Sequence, residues 1–142
     1  MKILLIMPGG RKGLVWAVRP WVAPGGIVTL AGMTPEHHHV SIWSELAHGT
    51  LTEENLPEAD LYGISGLTST RFEAYRIARM IRKRGKKVVA GGFDVTGHYR
   101  DDPENNGKEQ LSFFDAILIG RGTPPVWQQI LTDFERASLG QV

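Results

Sequence analysis

The chain contains no cysteine among its 142 residues. This absence excludes disulfide bonds, thiolate zinc sites, thiol nucleophiles and any iron-sulfur cluster held by cysteines of this polypeptide. The sequence also lacks an apolar run approaching the roughly 20 residues that cross a bilayer. The first apolar segment, Lys2–Met7, is too short for a signal-peptide core followed by a cleavage site. We therefore expect a cytoplasmic protein with no membrane partner.

A strong net charge is absent as well. The chain has 16 Lys and Arg against 15 Asp and Glu, for a formal charge of +1, so no field that would recruit nucleic acid is expected. Several basic residues cluster at the end of one predicted helix, where cations complement the helix macrodipole and meet water: Arg79, Arg82, Lys83, Arg84, Lys86 and Lys87. The sequence therefore predicts no nucleic-acid partner.

Short apolar runs alternate with helical patterns along the chain. Strands are predicted at residues 2–7, 40–43, 60–65, 87–90 and 116–119, and helices at 24–33, between Thr70 and Gly85, and from Thr123 onward. Residues 93–107 are polar and are expected to form an irregular surface excursion. This alternation predicts one α/β domain over residues 1–142 with a doubly wound, flavodoxin-like or Rossmann-like parallel sheet. The expected order of its five strands is 2-1-3-4-5.

The helices carry signals for their ends and their buried faces. Thr70 and Glu73 have the spacing of a capping box, and Thr123 followed by Pro124 is typical of a helix start. The residues predicted to pack on the sheet are Ile27, Val28, Leu30 and Ala31 in the first helix, Phe72, Tyr75, Ile77 and Ile81 in the second, and Val126, Trp127, Ile130, Leu131 and Phe134 in the last.

Small residues follow three successive strands at the points where the strands end. These segments are Ser65-Gly66-Leu67, Gly91-Gly92 and Gly120-Arg121-Gly122. The carboxyl ends of parallel strands face the ligand crevice, and bare backbone there allows a bulky group to approach closely. The long loop from Pro8 to Pro24 reaches the same edge and contains two tryptophans, Trp16 and Trp21. The sequence therefore predicts a large ligand at this edge of the sheet.

Three common ligand chemistries of this fold match poorly. A phosphoacceptor receiver domain needs acidic residues after strand one, an aspartate after strand three and a lysine after strand five, where this chain has Pro8, Ser65 and Arg121. A flavodoxin needs a hydroxyl-rich phosphate loop, but the loop after strand one begins Pro-Gly-Gly-Arg-Lys-Gly, without serine or threonine. The glycines of that loop also miss the G-x-G-x-x-G spacing of a dinucleotide site.

The chain resembles the cobalamin-binding domain found at the N-terminus of cobalamin-dependent radical S-adenosylmethionine enzymes. The resemblance covers nearly the whole chain, and its specificity lies in the order and spacing of matching stretches. These stretches are residues 2–6, 24–31, 59–65, 74–78, 91–92 and 115–127.

The resemblance implies that Ser65, Leu67, Gly91 and Gly92 line a slot for the nucleotide tail of the cofactor. The full set expected to contact cobalamin is Pro8, Gly9, Trp16, Ser65, Gly66, Leu67, Gly91, Gly92, Phe93, Gly120, Arg121 and Gly122. For Ser65, Gly91 and Gly92 taken alone, a role in a local turn or cap explains the sequence equally well.

The chain also departs from the pattern of related cobalamin-binding domains. Cobalamin mutases and methionine synthases carry the motif Asp-x-His-x-x-Gly after strand one, and its histidine binds cobalt. This chain lacks the motif. The resemblance therefore implies base-off cobalamin without a protein histidine on cobalt, as in the radical-enzyme branch. Ser44 and Thr123 depart from that branch, which commonly has aspartate and glutamate there. Since His37-His38-His39 precedes strand two, at the opposite sheet end, we expect a solvated turn, and surface positions for His48 and His98. No protein metal ligand is expected.

The absence of cysteine also limits what the chain does alone. A radical S-adenosylmethionine domain holds its iron-sulfur cluster through cysteines, so no such domain lies within this chain. The expected role is to bind cobalamin without catalysing alone, while a partner domain, in cis or in trans, performs methyl transfer or another radical reaction with its own cluster and S-adenosylmethionine. The alternative is a cofactor-free, flavodoxin-like regulatory or interaction domain.

Overall fold

The structure is a computed structural model that describes residues 1–9 and 25–137. Within these residues the chain forms a sheet of five parallel strands in the order β2-β1-β3-β4-β5. The strands are β1 (Lys2–Met7), β2 (His39–Ser44), β3 (Leu61–Ser65), β4 (Lys87–Gly91) and β5 (Ala116–Ile117). This arrangement confirms the predicted doubly wound α/β fold and its strand order.

Helices cover both faces of the sheet. They are α1 (Gly25–Gly32), α2 (Glu45–His48), α3 (Arg71–Lys83), α4 (Phe93–Asp101), α5 (Asn105–Phe113) and α6 (Pro124–Glu135), and a 3-10 turn (Thr68–Thr70) precedes α3. In the described part of the chain, none of these helices is long and apolar enough to cross a membrane.

Strand β1, an inner strand of the sheet, contributes side chains to the core on both of its faces. Leu4 and Ile6 belong to a core cluster with α3, α4 and the end of α5, whereas Ile3 and Leu5 belong to a second cluster with α1 and α6. All four side chains are at most 2% exposed. A continuous apolar run is what a parallel strand needs when it is buried on both faces.

Helix α3 packs as expected except at its start. Tyr75, Ile77 and Ile81 are buried, but Phe72 is 80% exposed because it lies on the opposite side of the helix from this stripe. The capping box is wrong: Thr70 Oγ accepts a hydrogen bond from the Leu67 amide at 3.0 Å, and Glu73 pairs with Arg76 at 2.8 Å.

The expected surface excursion at residues 93–107 is also wrong, because it folds as α4 and the start of α5. Val95 is buried, and Gln110 of α5 donates a hydrogen bond to its carbonyl at 3.0 Å. A Cβ on Gly107 would lie 3.0 Å from the ring of Tyr99, so the missing side chain allows the two helices to approach. Tertiary packing therefore overrides the weak helix propensity of this segment.

The last elements hold the second layer in place. Thr123 occupies the position before α6 but makes no side-chain capping bond, and Pro124 begins the helix. Trp127 is 1% exposed, and its Nε1 donates a hydrogen bond to Thr34 Oγ at 2.8 Å. Val28 and Val126, predicted to be core residues, are 46% and 43% exposed. The predicted strand at 116–119 ends at Ile117.

Candidate ligand-binding cleft

A cleft of about 760 Å³ opens at the carboxyl edge of the sheet. It descends between the sheet and the layer formed by α1 and α6, so its inner walls belong to the second core cluster. The side chains of these walls are apolar: Leu5, Ile27, Leu30, Val89, Trp127 and Ile130. The volume lies in the roughly 300–1,000 Å³ range that is typical of small-molecule sites.

The rim of the cleft is formed by the turns that follow the strands. Of the residues expected from the sequence, ten line it: Pro8, Ser65, Gly66, Leu67, Gly91, Gly92, Phe93, Gly120, Arg121 and Gly122. Trp16 lies outside the described residues, as does Trp21. Gly9 is described but does not line the cleft, because its amide points to Glu45.

Gly63 lines the cleft, and the sequence analysis did not single it out. Gly63 lies in the middle of β3 between Leu5 of β1 and Val89 of β4. A Cβ there would lie 2.8 Å from Leu5 Cδ2, so a side chain at this position would force the end of the Leu5 side chain to move. The signal was available, since a glycine inside a strand often marks a close approach of other groups.

Two of the rim turns pack directly against each other. Gly92 has φ +102° and ψ −172°, a conformation that is essentially restricted to glycine. A Cβ there would lie 2.8 Å from Ser65 Oγ and 3.4 Å from the Gly66 carbonyl oxygen. Gly92 is therefore required by the turn itself and by the contact with the β3 end. The Ser65 hydroxyl makes no hydrogen bond within the described residues.

An ion pair fixes the position of these turns. Arg71, the first residue of α3, donates hydrogen bonds from Nε and Nη2 to the Asp94 carboxylate at 2.9 and 2.6 Å. The Asp94 side chain is 7% exposed. These hydrogen bonds raise the pKa of Arg71 above its usual range. A bidentate pair of this kind specifies geometry, so the first turns of α3 and α4 are held together beneath the rim.

The charged groups that line the cleft are both cationic. Arg100 of α4 and Arg121 of the last turn are exposed at the rim, and no carboxylate lines the cleft among the described residues. Thr96 Oγ accepts a hydrogen bond from the Gly120 amide at 3.0 Å, which joins the turn before α6 to α4. The arrangement suits an anionic group at the mouth of an otherwise apolar cleft. Arg100 was not anticipated from the sequence.

Glu45 is a third residue that sequence reasoning missed. Its buried carboxylate accepts hydrogen bonds at 2.7 Å from the Gly9 amide, the Leu51 amide and Arg76 Nη2. The preceding Ser44, the position at which the resemblance has an aspartate, ends β2 and is buried. Glu45 therefore holds Gly9, two residues beyond the end of β1, against the start of α2. An acidic residue two positions after a predicted strand was the available signal.

The positions of the histidines agree only partly with those expected from the sequence. His39 pairs with Lys2 in the parallel register, which places the histidine run at the amino edge of the sheet, opposite the cleft. The solvated turn is wrong for His38, whose side chain is 3% exposed, and burial lowers its pKa together with the nearby His37 and Met1 amino group. His98 is half-buried, with Nε2 3.5 Å from a Glu109 carboxylate oxygen, whereas His48 is exposed.

Known proteins give two informative similarities, although no protein-family model matches the chain. Over 104 residues the chain is 33% identical to the bacteriochlorophyllide d C-8(2)-methyltransferase of Chlorobaculum tepidum, a match that covers 73% of this chain and 21% of that protein. Over 130 residues it is 32% identical to an uncharacterized methyltransferase of Pyrococcus horikoshii, covering 86% of this chain and 27% of that protein. The chain is thus similar to one segment of two longer methyltransferases and spans about a quarter of their length or less.

Proposed function

We propose that residues 1–142 form a cobalamin-binding domain that serves a methyl-transfer or radical reaction carried out by a radical S-adenosylmethionine domain. The observation that carries this proposal is the deep apolar cleft between the sheet and the α1 and α6 layer, which opens on a rim of small residues. Cobalamin has a planar base on a ribose phosphate tail and a wide corrin ring. A slot below an open rim fits both parts.

Different residues of the cleft suit the tail and the corrin ring of cobalamin. The apolar walls around Gly63 would hold the base, because aromatic and aliphatic surfaces bury such a ring without losing hydrogen bonds. Arg100 and Arg121 would bind the phosphate at the mouth. The turns at Gly66 and Gly91 would lie beneath the corrin, and the free Ser65 hydroxyl supplies a hydrogen-bonding group there.

The metal ligand is also part of the proposal. Among the described residues that line the cleft there is no histidine, and the chain contains no cysteine. This composition supports a base-off cofactor whose cobalt receives no histidine from this chain. Bound cobalamin supplies a cobalt centre that can carry a methyl group. This chain's own residues bind the cofactor, orient it and shield its tail from water.

Methyl transfer is supported by the similarity to two methyltransferases. Because the chain spans only a fraction of their length, we propose that the reaction itself takes place on a catalytic domain in cis or in trans. An iron-sulfur cluster and S-adenosylmethionine would be bound by that domain.

A second candidate is a cofactor-free interaction domain of flavodoxin-like fold. It is supported by three large apolar side chains near the rim, Leu67, Phe72 and Phe93, which are 58%, 80% and 88% exposed. These side chains suit a protein partner whether or not a cofactor is present.

The test is retention of hydroxocobalamin, measured from its visible spectrum after mixing with the purified chain and desalting, in air and under anaerobic conditions. We expect a stoichiometric complex. The variant Gly122→Phe should weaken binding by at least about tenfold, since its side chain would enter the cleft between Leu30 and Leu118, 3.5 and 3.7 Å from the Cβ position.

Gly97→Phe is the matched control, because Gly97 lies on α4 with open space around its Cβ position and does not line the cleft. A wild-type chain that elutes without cobalamin under both conditions would remove the proposal and favour the interaction domain. Equal retention by Gly122→Phe and Gly97→Phe would place the cofactor outside this cleft.

A further inference from the structure

The amino edge of the sheet carries a group of side chains that the cleft does not use. His37 and His38 lie in the connection between α1 and β2, and Glu135 is the last residue of α6. Each offers one ligand atom, and these atoms all lie within 4.8 Å of one another. We call these three residues the amino-edge triad.

The scaffold holds the triad in place independently of its own contacts. The His38 amide donates to the Pro35 carbonyl at 3.0 Å, and the His39 amide donates to the Met1 carbonyl at 2.9 Å. The hydrogen bond from Trp127 to Thr34 fastens α6 to the same connection. Residues distant in the sequence are therefore brought together by the fold.

The contacts within the triad leave the imidazole of His38 without a strong partner. Its Nε2 is 3.8 Å from Glu135 Oε1, which is beyond hydrogen-bond distance, although the side chain is 3% exposed. Its Nδ1 lies 3.4 Å from the Met1 amino group. The rings of His37 and His38 are tilted by 49° with centroids 3.9 Å apart. The gap between His38 Nε2 and Glu135 Oε1 therefore leaves space for an atom that would bridge them.

We propose that the amino-edge triad binds a divalent transition-metal ion such as Zn²⁺ or Ni²⁺ through two imidazole nitrogens and one carboxylate oxygen. Ligands about 2.0 Å from a tetrahedral ion lie roughly 3.3 Å apart, so the triad has to contract. His37 and Glu135 are exposed and can move, while His38 is fixed. Water completes the coordination, and the imidazole-rich set disfavours Ca²⁺ and Mg²⁺.

The bound ion would tie the end of α6 to the connection before β2. This end of the sheet lies opposite the cleft, so the site is distinct from the one proposed for cobalamin. The consequence is a stability that depends on metal, because an ion bound only by the folded chain raises the free energy of unfolding.

The experiment uses the chain without any affinity tag, stripped with chelator and titrated with Zn²⁺ and Ni²⁺ against a chromophoric competitor. We expect one ion per chain and a rise in the unfolding midpoint. His37→Gln and Glu135→Gln should each weaken binding at least about tenfold, since even a lost outer-shell group costs about 10–100-fold in affinity. His38→Gln should do the same, with its fold checked by circular dichroism.

His39→Gln is the matched control, because His39 belongs to the same histidine run but not to the triad. Its affinity should equal that of the wild type. The proposal is overturned if the wild type binds no ion, if Glu135→Gln binds as tightly as the wild type, or if His39→Gln loses as much as His37→Gln. The last two results would indicate chelation by the histidine run alone. Cobalamin retention should be the same in all these variants.

Discussion

The two edges of the sheet differ in what covers them. At the amino edge, carboxylates close the strand starts: Asp60 accepts a hydrogen bond from the Lys2 amide at 2.7 Å, and Asp115 accepts one from the Val88 amide at 2.9 Å. At the carboxyl edge, the Glu45 carboxylate accepts a hydrogen bond from the Gly9 amide beyond the ends of β1 and β2, but β3 and β4 end in Ser65 and Gly91, where a cleft of about 760 Å³ opens. Among the described residues, the part of this edge at β3 and β4 is thus left open, and the ligand crevices of open parallel sheets lie at the same edge.

The two faces of the sheet also differ in how completely the helices cover them. The layer of α3 and α4 packs against Leu4, Ile6 and Tyr62, which are at most 2% exposed. Among the described residues, the layer of α1 and α6 leaves a space against its face of the sheet, and this space is the cleft. The first face is therefore filled by the chain's own side chains, and the second contains the cleft.

The largest expected effect concerns the carboxyl edge. Gly92→Ala should destabilise the fold by about 3 kcal/mol, from the strain of a glycine-only conformation and the 2.8 Å approach to Ser65 Oγ. Urea unfolding measures this change. Gly97→Ala, on an exposed helical position with open space, should instead stabilise by about 0.5–1 kcal/mol.

The expected effect of Gly92→Ala also determines which position is suitable for blocking the cleft. A bulky replacement of Gly92 would disrupt the turn before it blocks the cleft, so Gly122 is the better position for a blocking side chain. If Gly92→Ala and Gly97→Ala have equal stability, the contact between the β3 and β4 turns is not what holds the rim.

A smaller effect is expected at the amino edge. Asp115→Ala removes the acceptor of the Val88 amide and the ion pair with Lys87 at 2.9 Å, and leaves a buried strand amide unpaired. The expected loss is about 1–2 kcal/mol in urea unfolding. Cobalamin retention should not change, since Asp115 does not line the cleft. Lost retention with retained fold would show that the two edges are coupled.

The smallest effect is a pH dependence at the surface. The hydrogen bond from Lys86 lowers the pKa of Glu58 below 4.5. Because the folded value is the lower one, the pair stabilises the fold at neutral pH, and this contribution is lost as the pH falls through the folded pKa. Glu58→Gln should therefore be slightly less stable than the wild type at pH 7. The difference should vanish in acid unfolding, and a difference that persists below that pKa would contradict the assignment.

The sheet could be predicted because its signals are local. Apolar runs such as Lys2–Met7 identify the strands, and their alternation with helices predicts a parallel sheet in the usual doubly wound order. Small residues near the ends of β3, β4 and β5 indicate the edge that carries the cleft. The missed features depend on contacts between distant segments. Glu45 is buried by Gly9, Leu51 and Arg76, and α4 and α5 form through packing at Tyr99. His38 is buried by the fold around it, and its sequence neighbours do not indicate this.

The absence of a side chain at Gly63 bears on the space available in the cleft. A methyl group there would force the tip of Leu5 to move, since the two would be 2.8 Å apart. The end of Leu5 lies in the wall of the cleft, so its displacement would change the space there. Under the proposed function, we expect Gly63→Ala to narrow the cleft beside Leu5, so that the chain would accept only a slimmer ligand.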